Sequence, residues 1–209
     1  NPKVDIVALC DIYKPSIENA LKLAPNAKVY GDYREVLEDK SIDAILVATP
    51  LSSHCKIVLD AFDAGKHVFC EKPVALSLKD TKEMLDAAEK AGVHFFAAHT
   101  TNFIRGVQTA KALLAAGEIG ELLMIEAVHT DWAGPQKTIG WKQMKEISGG
   151  HLYHHMHEVD LICQLAGLPA SVYAKGKNLV HHGDGCGDEE DAIFLNMELP
   201  GGGFASLTI

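Results

Sequence analysis

Four short apolar runs, Ile6–Cys10, Ala44–Ala48, Val68–Cys70 and Val93–Ala98, punctuate the first half of the chain, with helix-forming stretches between them. Short strands alternating with helices of roughly 10–15 residues predict a parallel, doubly wound α/β sheet. A further short strand is expected around Lys28–Tyr30, followed by a helix over Tyr33–Glu38. The other helices are expected from Pro15-Ser16 to Leu23, from His54 to Ala64 with Gly65 as its stop, and from Ser77 to Lys90 with Gly92 as its stop. Ser77 and Asp80 stand in capping-box register, with Asp in place of Glu. Because the runs are continuously apolar rather than alternating, both sheet faces are expected to be covered.

One of these runs ends abruptly. In His67-Val-Phe-Cys-Glu-Lys-Pro73 the strand must stop where Pro73 has no amide hydrogen to donate, which leaves Glu71 and Lys72 at a strand's carboxyl end. That edge of an open α/β sheet is where ligands bind. A lysine held there beside an apolar wall can have its pKa lowered enough to exchange protons near neutrality. A charged surface loop is the plainer alternative for the tripeptide by itself.

Taken together, Asp11, Ala48-Thr49-Pro50 with His54, and Glu71-Lys72-Pro73 resemble the Gfo/Idh/MocA oxidoreductases, NAD(P)-dependent enzymes that mostly act on sugars, polyols and related compounds. The similarity continues through Phe103, the helix ending at Leu114-Ala-Ala-Gly-Glu-Ile-Gly120, the strand Leu122–Val128, Trp141-Lys142, and Ser148-Gly-Gly150 leading into His157-Glu-Val-Asp160. It implies a dinucleotide-binding domain over residues 1–99 and a substrate-binding α+β domain with a mainly antiparallel sheet over 100–209, each incomplete at its outer end. It further implies Lys72 and His157 as catalytic residues. Asp11, Thr49, Pro50, His54, Glu71 and Lys72 would line the cofactor, and Lys72, Trp141, Tyr153, His154 and His157 the substrate. Asp11, ending the first strand, would meet the ribose hydroxyls and favour NAD, because a carboxylate repels the 2′-phosphate of NADP; Tyr13-Lys14 leave NADP open. For His54 helix capping is the alternative, and for Trp141 simple packing. A cis Lys72–Pro73 bond is also expected.

Two departures stand out. No glycine-rich turn precedes Asp11, so about 30 residues, one strand-turn-helix unit, are expected upstream of Asn1; at the other end, Phe204–Ile209 stops in mid-strand. The family's acid four residues before the active-site histidine is Tyr153 here, and the small residue two before it is His155. A tyrosine can hydrogen-bond a hydroxyl but is a far poorer base than a carboxylate at neutral pH.

The stretch His151-Leu-Tyr-His-His-Met-His-Glu-Val-Asp160 is expected to open one helix running through Leu165 to a stop at Gly167. At about 100° per residue, His154, His157 and Glu158 would share a face, Leu152, His155, Val159 and Ile162 another, and His157 could meet Asp160. A metal is the rival reading, since His151/His155 and His154/Glu158 both stand at i, i+4. The preferred reading has no metal, with His157 as acid/base and its neighbours as hydroxyl ligands. His181-His182 is read as solvated turn, and Asp131–Gly150 as a loop near the site.

Composition excludes more than it assigns. A formal charge of −9 without a basic stripe argues against nucleic acid. No apolar run approaches the roughly 20 residues of a membrane span. Five cysteines without C-x-x-C spacing suit a reducing, cytoplasmic setting. The resulting expectation is an NAD-dependent oxidoreductase that passes hydride between a secondary alcohol of a carbohydrate-like small molecule and the nicotinamide. It is expected to assemble as a homo-oligomer through its C-terminal sheet. A redox-assisted lyase or glycosidase, or a non-catalytic sugar- or dinucleotide-sensing protein, is the alternative.

Overall fold

The computed structural model describes residues 4–131, 139–181, 183 and 185–209. The chain divides into two compact units: the first comprises residues up to Thr49 together with Ser53–Ala97, and the second Pro50–Ser52 together with Ala98–Ile209.

The first unit runs β1 (Ala8–Cys10), α1 (Lys14–Leu21), β2 (Lys28–Tyr30), α2 (Tyr33–Glu38), β3 (Ala44–Val47), α3 (His54–Asp63), β4 (His67–Cys70), α4 (Leu78–Ala91) and β5 (Phe95–Ala97). All pairings are parallel: β1 with β2 in one sheet, and β3–β4–β5 in another. Local chemistry sets the helix ends. Pro15 sits in the first turn of α1, the Asp32 side chain accepts from Arg34 N at 2.9 Å to cap α2, and Ser77 Oγ accepts from Asp80 N at 3.1 Å to cap α4. α4 stops where Gly92 adopts φ +67°, a conformation a side chain would strain.

Strand order decides where the connecting helices pack. β3, β4 and β5 succeed each other in one direction, and right-handed crossovers then place both connecting helices on the same face. That face is the core: Val58, Phe62, Val68, Cys70 and Met84 are buried, with Phe62 edge-on to Phe95 at 5.5 Å. Burial of side chains such as Phe62 and Met84 stabilises the unit by about 1.5–3 kcal/mol each. The opposite face carries a second apolar set. Leu46, Phe69 and Phe96 stand in register across it and are exposed, with the two phenylalanine rings stacked at 5.2 Å.

The second unit holds α5 (Arg105–Ala115), β6 (Met124–Val128), α6 (Lys145–Ser148), α7 (His151–His154), α8 (Met156–Ala166), β7 (Ser171–Lys177), β8 (Ala192–Glu198) and β9 (Phe204–Thr208). Its sheet has the order β6–β9–β8–β7. The two later pairings are antiparallel as expected, but β6 lies parallel to β9, so the sheet is mixed. Alternation sorts its faces. Ile193, Leu195, Met197, Ala205 and Leu207 are buried with Ile162 of α8, and Leu152 and Val159 pack against them. Met124, Val128, Tyr173, Phe194 and Phe204 remain exposed.

The single helix expected over His151–Leu165 is two. His155 at φ −94°, ψ 27° separates α7 from α8, and the bond from its N–H reaches back only three residues, to Leu152 O at 3.1 Å. The i, i+4 faces counted from His151 therefore do not carry through.

Candidate active site

The first group of candidate residues lies at the carboxyl edge of the first unit's parallel strands. Glu71 and Lys72 follow β4 directly: Glu71 N donates to Val47 O at 2.8 Å, and Lys72 N to Glu71 Oε2 at 3.2 Å. The Lys72–Pro73 bond is cis, as expected. Thr49 lies two residues beyond β3, where its hydroxyl accepts from Ser53 Oγ at 2.8 Å; Pro50 groups with the second unit. His54 is 2% exposed, and its ring joins the two loops: Nε2 lies 2.7 Å from Thr49 O and Nδ1 3.0 Å from Pro73 O. Cys70 Sγ is 3.5 Å from the same Nδ1. Burial pushes that thiol up to about 12, which leaves it an inert packing group. Asp11, beyond β1, accepts from Tyr13 N at 2.8 Å and is exposed. An exposed acid ending one strand, with a polar threonine and a lysine ending two others, is a donor and acceptor set that fits a dinucleotide's ribose and nicotinamide.

The second group belongs to the second unit. His154 Nε2 is 3.1 Å from Lys142 O and 3.4 Å from Glu189 Oε2, and its ring centroid is 6.5 Å from that of Trp141. Tyr153 lies over Gly149, where φ is +85° and a Cβ would stand 2.6 Å from the ring, so this approach requires glycine. His157 is half-buried in the first turn of α8. Asp160, three residues on, receives Asn102 Nδ2 at 3.2 Å and lies 3.6 Å from His99 Nδ1.

A separate set of side chains, among them His129, His151, His155, His181, Glu189 and Asp191, lines a cavity of about 310 Å³ in the second unit; Tyr153, His154 and His157 are not part of that lining. Burial, ahead of the neighbouring His151, lowers His155 to about 4 and keeps it neutral at pH 7. Burial also lowers His151, with Glu189 opposing. For Glu158 burial acts upward, but the hydrogen bond with His129, a backbone hydrogen bond and the charges of His129 and His155 together hold the carboxyl below its ordinary range.

Two features of this cavity escaped the sequence. Asp188-Glu-Glu-Asp191 looks like a solvated acidic turn, yet each member has a partner: Asp188 takes Lys145 N at 2.8 Å, Glu189 faces His151 and His154, and Glu190 pairs with Lys145 Nζ. Asp191 accepts the backbone N–H groups of Leu179, Val180 and His181 at 2.7–2.8 Å. His181 is accordingly part of the wall, 3.4 Å from Asp191, and not only solvated; His182 and residues 132–138 of the expected loop lie outside the described residues. The second is His129, placed by the end of β6. An acidic run following glycines was the one available signal.

Two family models account for nearly the whole chain. Residues 1–99 match the oxidoreductase family with NAD-binding Rossmann fold, and residues 107–209 the GFO/IDH/MocA C-terminal domain. The chain belongs to the Gfo/Idh/MocA family. This family member is 42% identical over 197 residues to an uncharacterized oxidoreductase of Streptococcus pneumoniae serotype 4, covering 94% of the chain and 54% of that protein. It is 45% identical over 173 residues to 2,7-anhydro-N-acetylneuraminate hydratase of Escherichia coli K12, covering 82% and 46%. The chain thus spans about half the length of the curated relatives it matches. Among solved structures, the WlbA dehydrogenase from Bordetella pertussis, in complex with NADH and UDP-GlcNAcA, superposes with a TM-score of 0.87 at 25% identity, covering 98% of this chain and 59% of that one. Among the described residues no helix is long and apolar enough to cross a membrane.

Proposed function

We propose that this protein binds NAD through its first unit and oxidises a secondary alcohol of a carbohydrate-like substrate. The observation that carries this reading is the position of Lys72, at the carboxyl end of β4 in a unit that matches an NAD-binding Rossmann fold. Bound NAD supplies the hydride acceptor. Lys72 takes the hydroxyl proton as the carbinol C–H bond breaks, and His157 is a second candidate acid/base group. Asp11 accepts from the ribose hydroxyls. Thr49, Pro50 and Glu71 would hold the nicotinamide end of the cofactor, and His54 would position the Thr49 and Pro73 loops. Trp141, Tyr153 and His154 contact the sugar. The exposed apolar residues of the β6–β9–β8–β7 sheet support a homo-oligomer through that face.

A specific observation favours one form of this chemistry, namely the 45% identity to a hydratase of an anhydro sugar. Oxidation of an alcohol to a ketone acidifies the adjacent C–H bond. A base can then remove that proton, a neighbouring C–O bond eliminates, water adds, and return of the hydride restores the alcohol with no net consumption of NAD. The half-buried histidines of the second unit would move those protons.

The test is to supply the full-length protein with 2,7-anhydro-N-acetylneuraminate and with a panel of polyols and sugars, at catalytic and at stoichiometric NAD. Turnover that continues at catalytic NAD without accumulating NADH supports the redox-assisted reading. Accumulating NADH supports a simple dehydrogenase. No turnover and no nicotinamide reduction with any substrate favours the sensing alternative and overturns both.

A further inference from the structure

Among the described residues, one group of metal-ligating atoms converges. His129, His155 and Glu158 each offer a ligand atom, and these atoms lie within 4.8 Å of one another. Three separate pieces of the second unit hold them. His129 directly follows β6 and is tied down by its N–H to Thr208 O at 2.9 Å; His155 is the joint between α7 and α8; Glu158 stands in the first turn of α8. None of the i, i+4 pairs visible in the sequence is involved, because the break at His155 redirects that ring toward the sheet.

The contacts within the group are unequal. His129 Nδ1 hydrogen-bonds one oxygen of Glu158. The other oxygen is 3.8 Å from His155 Nδ1, too long for a hydrogen bond, while the two imidazoles meet edge to face at 4.5 Å. A carboxylate thus lies between two imidazoles, hydrogen-bonded to one and 3.8 Å from a nitrogen of the other. An ion placed among them would engage all three. Two imidazole nitrogens and one carboxylate oxygen are the set that borderline divalent cations prefer over Mg²⁺ or Ca²⁺. Ligands at ~2.0–2.1 Å on a tetrahedral ion stand about 3.3 Å apart, so the widest pair need close by no more than about 1.5 Å while the hydrogen-bonded His129–Glu158 pair opens to admit the ion, a shift that half-exposed His129 can accommodate.

We propose that His129, His155 and Glu158 bind one divalent transition-metal ion, Zn²⁺-like in its preferences, with its open coordination position turned to the cavity that both histidines line. With three protein ligands and a fourth position free, the ion would bind an oxygen of whatever occupies that cavity. This site is independent of the nucleotide reading.

The experiment is a Co²⁺ titration of full-length protein stripped with a chelator and desalted, followed by visible d–d absorption and calorimetry, with Zn²⁺ as competitor. The expected result is saturation at one Co²⁺ per chain, displaced by Zn²⁺, with affinity reduced at least ~10²-fold in His155→Ala and Glu158→Gln and unchanged in His94→Ala, which lies in the other unit. Should either buried-side variant fail to fold by circular dichroism, His129→Gln, at a half-exposed position, takes its place and is expected to lose affinity equally. Absence of stoichiometric binding, or wild-type affinity in a folded ligand variant, would overturn the proposal and leave a plain His129–Glu158 hydrogen bond.

Discussion

His54 Nδ1 lies 3.0 Å from the carbonyl oxygen of Pro73, and Nε2 of the same ring lies 2.7 Å from Thr49 O. One buried imidazole therefore packs between the loops after β3 and β4, donating to one carbonyl when neutral and to both only when protonated. A buried carbonyl that loses its partner costs about 1–3 kcal/mol. His54→Ala is expected to lower the melting temperature by about 3 °C or more and to reduce kcat by misplacing Lys72. Calorimetry and steady-state kinetics on the same preparation check both effects; an unaltered melting temperature would remove the bracing role.

Lys72 is assigned proton transfer, not binding. Lys72→Ala is expected to lower turnover by ~10²-fold or more while NAD affinity stays within a few fold and the melting temperature is unchanged. His157→Asn is expected to abolish turnover. Stopped-flow binding beside steady-state rates separates the outcomes: parallel losses in affinity and rate would make Lys72 structural.

Asp191 supplies a pH dependence with a definite sign. Burial acts to raise its carboxyl, but the three backbone N–H donors from Leu179, Val180 and His181 outweigh it and bring it from 3.8 to about 2. The folded protein therefore binds the proton less readily than the unfolded chain. The resulting stability is complete above about pH 4 and is lost as pH falls through about 2. Asp191→Asn, which cannot serve all three donors, should melt below the wild type at pH 6, with the gap closing at acid pH. Melting curves across that range test it; a gap that stays constant with pH would contradict the electrostatic origin.

Much of the first unit was legible because its signals are local. Pro15, Ser77, Gly65 and Gly92 bracket helices within a residue or two of where they fall, and Pro73 ends β4 for a reason confined to its own ring. In the second unit, Leu122–Val128 and Phe204–Ile209 read as strands, but their parallel pairing as β6 and β9 across roughly eighty residues of chain was not legible. The histidine-rich stretch misled for a related reason. Helical periodicity assumes an unbroken helix, and the break at His155 brings Glu158 to His129, a residue that the stretch does not contain. Asp188–Asp191 gained its partners the same way, through contacts with Lys145 and His154 far along the chain.

The most direct test of the central claim, that Lys72 deprotonates an alcohol as its hydride passes to NAD, is a single-turnover mix of full-length protein and NAD with the sugar panel, followed by nicotinamide absorbance. With the right sugar the wild type is predicted to form reduced nicotinamide within the first turnover, slowed on deuteration of the carbinol carbon, while Lys72→Ala binds NAD and forms it at least ~10²-fold more slowly. Reduction at the wild-type rate in Lys72→Ala, or turnover of a sugar with no reduced nicotinamide at any time, would contradict it.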